Sequence, residues 1–392
     1  ILLVSLDELV DKRFGIEKAV VQGLLKTFSK EQRRLSSVAS EFRKRGRNEI
    51  ALPLLERVVE TAGPGRRALA LLDLAKVEFA LARWSSALEA LKQISEAEFA
   101  PRAVRKEAQQ MKGSILHHSL HTLDAARKHW LSLKNSTAAT LEERVLYGME
   151  ALRAGLGILD LDGAEEEIQE LLKIAPSGLK GELCFLAAQV SALQGAFEQA
   201  LDYSFRAIRS DPESSAATSA LALQVFLTAH LPPEGLDESL KLEMNGHIKK
   251  FLRLKTLLKA RSLALYDEEL EAYDPELIPS GLVDDYLKLQ ADSARARGRI
   301  EKEAKALQTL CRDYADSPHR DTALLRLARL SMKLGRSEEE VSKLLEEHLL
   351  EYPSSLNSQE ARDLMKELRT SKSKSKSKSK SKSKSKKETG EP

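Results

Sequence analysis

A short pattern of small residues recurs along this chain, and it restricts the fold more than any other feature. In "LAAQVSALQGAFEQALDYSFRAIRSDP", residues 186–212, Gly195 is followed by Phe197, Ala200, Ala207 and Pro212. The stretch before Gly195 has the apolar spacing of one helix, and the stretch after it that of a second, closed by Asp211 and Pro212. Ala188 and Ala200 are small enough to let two helix backbones approach, Phe197 and Leu201 fill the space between them, and Pro212 stops the second helix. The spacing therefore predicts an antiparallel helix pair.

The pair is repeated. Residues 38–64 supply Ala39, Gly46, Ala51, Leu55 and Pro64, with the same five-residue step from glycine to alanine. Residues 71–94 supply Leu74, Ala75, Trp84, Ala87 and Leu91, with Ala82 where the turn glycine falls and Pro101 closing the unit. Near the C-terminus Gly298 and Gly335 open the same G-R-x-E sequence 37 residues apart, and Pro318 and Pro353 lie 35 apart. Weaker copies cover residues 111–133 and 146–176, the latter turning at Gly163. Seven pairs are expected in all.

Small residue, turn glycine, aromatic, two alanines and a terminal proline resemble the tetratricopeptide (TPR) repeat, whose period is about 34 residues. The resemblance implies an all-α, right-handed TPR-like α-solenoid in which each pair contacts only its neighbours. "YADSPHRDTALLRLARLSMKLG" and "LLEEHLLEYPSS", within residues 281–355, are similar to the bacterial TPR proteins of the cell envelope. In those proteins a Tyr/Pro/Ser-Pro unit end leads into a helix carrying A-x-x-x-L. That likeness implies a bacterial protein with a role in envelope assembly.

The expected organisation is an N-terminal helical segment (1–30), an N-terminal TPR-like array (31–213), an irregular helical insertion (214–280), C-terminal repeats with a capping helix (281–370) and a tail (371–392). Within the insertion, residues 239–266 read as one long basic helix. Residues 356–369 read as an amphipathic helix whose polar face caps the last repeat. In the tail, serine alternates with lysine, which can neither bury apolar surface nor escape self-repulsion, so it is expected to be disordered.

Charge and cysteine usage narrow the function. The formal net charge is +3, but residues 371–392 hold nine Lys against two Glu, so residues 1–370 carry about −4. A nucleic-acid-binding body is not indicated. The tail alone can attract phosphates without reading sequence, which allows weak, nonspecific polyanion contact and, as the alternative function, a nucleic-acid- or anionic-surface-associated adaptor. Cys184 and Cys311 lie far apart in helical patterns, so no disulfide framework is implied and cytoplasm and periplasm both remain open. No apolar run reaches the roughly 18 residues of a membrane span. The chain starts at "ILLVSL" without an initiator Met, which reads as a fragment or a processed form.

Candidate chemistry is sparse. His117 and His121 lie four apart on one helical face, with His118 and His129 nearby. Zinc sites take three or four ligands and Asp124 is the only acid close in sequence, so the group reads as a polar patch between repeats and no metal is expected. "GLGILDLDG" has glycines like a phosphate loop and acids like part of a calcium loop, but it lies between helices and lacks the later acidic ligands. No serine elbow, HExxH, P-loop or Cys/His pairing is present. The chain reads as a non-catalytic protein-binding scaffold with no cofactor.

The TPR resemblance implies a concave groove lined by the first helix of each pair. It places Lys76, Phe79, Phe185, Gln189, Lys288, Arg295, Arg326, Arg329 and Lys333 on that face as partner-binding positions. Two roles stay open for the cations: gripping a carboxylate or acidic peptide, or pairing with Asp and Glu of adjacent repeats. The asparagines of the chaperone-type carboxylate clamp are absent at these positions.

Overall fold

The computed structural model describes residues 14–28, 31–271 and 277–368, and among them it is helical with no strand. The chain divides into two compact units, residues 1–179 and 180–392. The first holds α1 (Phe14–Thr27), α2 (Gln32–Lys44), α3 (Asn48–Thr61), α4 (Pro64–Ala80), α5 (Trp84–Glu96), α6 (Arg102–Ser114), α7 (Leu123–Lys134), α8 (Leu141–Leu156) and α9 (Ala164–Ile174). The second holds α10 (Ser177–Gln194, whose first three residues precede the boundary), α11 (Phe197–Ser210), α12 (Ser215–His230), α13 (Glu238–Lys259) and α14 (Leu263–Glu271). It continues with α15 (Val283–Ala296), α16 (Ile300–Asp313), α17 (Arg320–Lys333), α18 (Glu338–Glu351) and α19 over 358–368. The tail and residues 1–13 lie outside the described residues.

Most pairs turn on the same device. The residue at the bend adopts positive φ, and the N–H that follows it returns to a carbonyl five residues back, which ties up the last carbonyls of the first helix. Gly195 (φ 90°) leads to Ala196 N–H on the Ser191 carbonyl at 2.9 Å. Gly46, Gly298 and Gly335 do the same through Arg47, Arg299 and Arg336. Ala82 (φ 57°) occupies the glycine position, and Arg83 bonds Glu78 at 2.8 Å.

The sequence hides one such turn. Residues 239–266, expected as one long basic helix, are two helices that reverse at Arg261 (φ 58°), where Ser262 N–H bonds the Leu257 carbonyl at 2.9 Å. Neither Gly nor Pro marks this bend, because strong helix formers flank it and an arginine takes the left-handed conformation. Tertiary contacts hold it. Tyr266 is completely buried, Arg297 lies 5.2 Å over its ring, and Arg253 pairs with Glu269. With this pair the described residues contain eight hairpins rather than seven: α2/α3, α4/α5, α6/α7, α8/α9, α10/α11, α13/α14, α15/α16 and α17/α18.

The signature alanines sit at the helix crossings. Ala39, Ala51, Ala75 and Ala87 in the first unit, and Ala188, Ala200, Ala304 and Ala328 in the second, have no exposed surface. Each unit contains a row of small cores in place of one centre. Leu35, Phe42, Ile50 and Leu54 form one, Leu71, Leu91, Val104 and Ile115 the next, and Leu307, Leu310, Leu324 and Leu327 another. Ala361 and Met365 of α19 cover Leu325, Ala328 and Leu345 of the last pair, which is the cap the sequence called for.

Polar rungs join equivalent helices of successive pairs. Arg43–Asp73 (3.6 Å), Lys76–Glu107 (2.7 Å) and Lys106–Glu143 step along the first helices of the first unit. In the second unit the rungs are His319–Asp285 (2.8 Å), Arg326–Asp292 (2.6 Å) and Ser355–Asp321 (2.7 Å), each spanning 34 residues. One structural repeat thus sets both the apolar period and the polar one.

Candidate functional site

The cations expected to face a partner divide between two roles. Arg326 donates to Glu303 at 2.7 and 3.1 Å and to Asp292 at 2.6 Å, Arg329 pairs with Glu360, Lys76 with Glu107, and Lys288 with Asp292 at 2.9 Å. These four side chains join repeats or stabilise their own helix. Arg295 and Lys333 are exposed and form no ion pair among the described residues. Phe79 packs edge-on against Trp84 with ring centroids 5.0 Å apart.

Phe185 and Gln189 lie elsewhere in the arrangement, on the wall of a groove of about 220 Å³ formed by α10, α12 and α13. Ala192 and Leu193 continue that wall, Ala222 and Leu223 of α12 face it, and Leu252, Lys255 and Lys259 of α13 close it. The ammonium of Lys255 stands 5.4 Å from the centroid of the Phe226 ring and 5.9 Å from that of Phe251. Desolvation by these neighbours pushes its pKa below the ordinary lysine value, with Asp285 opposing and Lys288 adding to the shift. Among the described residues neither Lys255 nor Lys259 has an ion-pair partner.

The middle helix of this groove departs from the ordinary amphipathic pattern. An α-helix on a protein surface carries one apolar stripe and a polar face. In α12 ("SAATSALALQVFLTAH") the buried residues Ala216, Ala217, Ala220, Phe226 and Leu227 leave one side unaccounted for. Leu221 (52% exposed) and Val225 (61%), with the exposed Ala222 and Ala229, make a second apolar face that adjoins the groove. The sequence signal was present in the all-round apolarity of residues 216–229, but it could not say which face stays uncovered.

A larger groove, about 640 Å³, runs between α6 and the α7–α8 connection. Its cations are already engaged: Arg102 donates to the Ala138 carbonyl at 2.8 Å, Arg105 to those of Ala97 and Glu98, and Lys106 pairs with Glu143. Both thiols are buried, and burial pushes that of Cys311 up to about 12, far from a nucleophile's range.

The histidine patch is built differently from the expected i, i+4 face. Residues 115–119 form a π-helical turn after α6, and His121 stands at positive φ in the bend beyond it. Consecutive His117 and His118 stack instead, with ring centroids 4.3 Å apart and 10° between planes, and Glu150 of α8 approaches both. His129 is tied to the Gln109 carbonyl at 2.8 Å. Sequence reasoning missed Glu150, which lies a full repeat away.

Turn geometry, crossing alanines and capping helix define a TPR-like repeat protein. No family model matches the chain, and no curated protein matches it. Among solved structures, the fold is similar to a chain of the Naa15/Naa10 structure bound to HypK-THB, at 14% identity over 89% of this chain with a TM-score of 0.36; this chain spans 60% of that one's length. It is also similar to the P58(IPK) TPR domain, at 11% identity over 94% of this chain and 98% of that one with a TM-score of 0.27. The yeast Tom70 structure is matched at 9% identity over 94% and 95% of the two chains, with a TM-score of 0.25.

Proposed function

We propose that this protein is a non-catalytic scaffold that docks an amphipathic helix or extended segment of a partner protein against α10, α12 and α13. The observation that carries this reading is the apolar face of α12 that is uncovered, beside two lysines that have no ion-pair partner, among the described residues. Solvent-exposed Leu221 and Val225 cost free energy that a partner's apolar residues would recover on burial, at about 25 cal/mol per Å² removed from water. Lys255 and Lys259 would then meet carboxylates at the edge, where a charge-assisted hydrogen bond is favoured as water leaves. The groove is smaller than an ordinary small-molecule cavity, which suits single side chains of a docked segment.

The finer setting rests on sequence: envelope assembly in a bacterium on residues 281–355, and weak, salt-sensitive polyanion contact on the tail.

The test is a capture experiment from the source organism with the full chain beside the double variant Ala222→Arg, Val225→Arg. Both positions are exposed, so circular dichroism and thermal melting should match wild type. A protein retained by wild type, lost from the variant, and weakened by Lys255→Glu supports the reading. An identical set of bound proteins on all three chains removes it.

A further inference from the structure

We propose that His117, His118 and Glu150 form a binding site for a divalent transition-metal ion of the zinc, cobalt or nickel class, linking the π-turn after α6 to α8. The candidate ligand atoms are His117 Nδ1, His118 Nε2 and Glu150 Oε2, which all lie within 4.8 Å of one another. His117 Nδ1 is 3.3 Å from Glu150 Oε2, and His118 Nε2 is 3.9 Å from the same oxygen. Ligands at about 2.0–2.1 Å from a tetrahedral ion stand about 3.3–3.5 Å apart, so His117 and Glu150 are already at ligand spacing, and a turn of the exposed His118 ring out of its stack brings its Nε2 onto the same ion.

Two features point to a ligand over an ordinary polar contact. His117 is only 9% exposed, and its Nδ1 and Glu150 Oε2 are buried atoms that face each other at 3.3 Å without a well-aligned hydrogen bond. Buried polar groups are seldom left so, because their lost hydration is not repaid. A cation between them satisfies both at once. The second feature is the local backbone. In a regular α-helix neighbouring side chains diverge by about 100°. Here the π-turn, closed by Leu120 N–H on the Ile115 carbonyl at 3.0 Å, carries two adjacent imidazoles stacked on one side. Such single-turn insertions occur often at functional sites.

The surroundings complete the arrangement. Arg153 donates to Glu150 Oε1 and so fixes the carboxylate with Oε2 toward the rings, the outer-shell role that orients a metal ligand. Its charge also weakens cation binding, so affinity should be moderate. His118 is the solvent side of the site, its side chain 61% exposed, which gives the ion a path in and leaves a coordination position for water. The imidazole–carboxylate donor set suits zinc, cobalt and nickel better than magnesium or calcium.

The test is calorimetric titration of zinc chloride into the full, tag-free chain, with cobalt chloride absorption as a second readout. One equivalent is expected to bind and to raise the melting temperature. His118→Ala changes an exposed side chain and should preserve the fold by circular dichroism while weakening zinc binding at least tenfold. Glu150→Gln should do the same, and His121→Ala should leave affinity within twofold. Absence of saturable zinc binding, or a His118→Ala chain that binds within twofold of wild type, overturns the site.

Discussion

Arg326 offers the sharpest test of how these repeats are held together. Its guanidinium bridges Glu303 of α16 and Asp292 of α15 from α17, with side-chain exposures of 18% for the arginine, 6% for Glu303 and 31% for Asp292. Removing the arginine strands the two carboxylates unequally. Asp292 keeps Lys288 at 2.9 Å and partial solvent, whereas Glu303 is left as a buried charge without a partner. Breaking a buried pair from one side costs about 3–5 kcal/mol. With one of the two acids rescued, Arg326→Ala should destabilise by about 3 kcal/mol in urea unfolding. Both tryptophans, Trp84 and Trp130, lie in residues 1–179, so far-UV circular dichroism is the appropriate readout. Arg326→Leu combined with Glu303→Leu removes both charges and should return to within about 1 kcal/mol of wild type, since apolar replacement of a buried pair is often neutral. A cost below about 1 kcal/mol for Arg326→Ala would refute the reasoning, because that is the scale of an exposed pair. The same numbers warn that charge reversal at Arg326 would disturb folding before it reported on any partner.

Three further outcomes are expected. Arg261→Gly should stabilise the chain by about 1 kcal/mol in the same assay, because a non-glycine residue at φ 58° costs about 1–2 kcal/mol and part of that is offset by the freedom glycine gains when unfolded. Gly113→Ala should lower stability by about 1–2 kcal/mol despite alanine's better helix propensity, since its Cβ would run into the Trp130 ring; thermal melting with near-UV dichroism checks it. Finally, Asp285 is held well below the usual carboxylate range: burial alone would raise it, but hydrogen bonds from His230 and His319 outweigh that effect. A depressed folded-state pKa contributes stability that is present above the unfolded value, about 3.8, and is lost as pH falls below it, so wild type should lose stability below pH 4 and Asp285→Asn should lose less over that range.

Much of the architecture was legible because the repeat is local. A glycine at the bend, an alanine five residues on and a proline at the end are constraints within one hairpin, and Gly195, Gly46, Gly298 and Gly335 all turn where their spacing places them. Ala82 does so too, since the alanine five residues later kept the register after the glycine was lost. Arg261 was hidden because no Gly or Pro marks its bend, and the Tyr266 ring buried behind it is covered by Arg297, about a repeat further along the chain.

The site divides along the same line. Sequence by itself determined which helices alternate, where small residues let them cross, and that Phe185 and Gln189 belong on a first helix. Tertiary structure alone decided which charges are already paired, because each rung joins residues about one repeat apart and either sign could find its partner within the stack. It likewise decided that one face of α12 is left uncovered and that Glu150 comes to meet two histidines. Hairpin formation depends on neighbours within a few turns of chain, whereas the pairing of side chains depends on how one repeat is rotated against the next, and that rotation is set by packing.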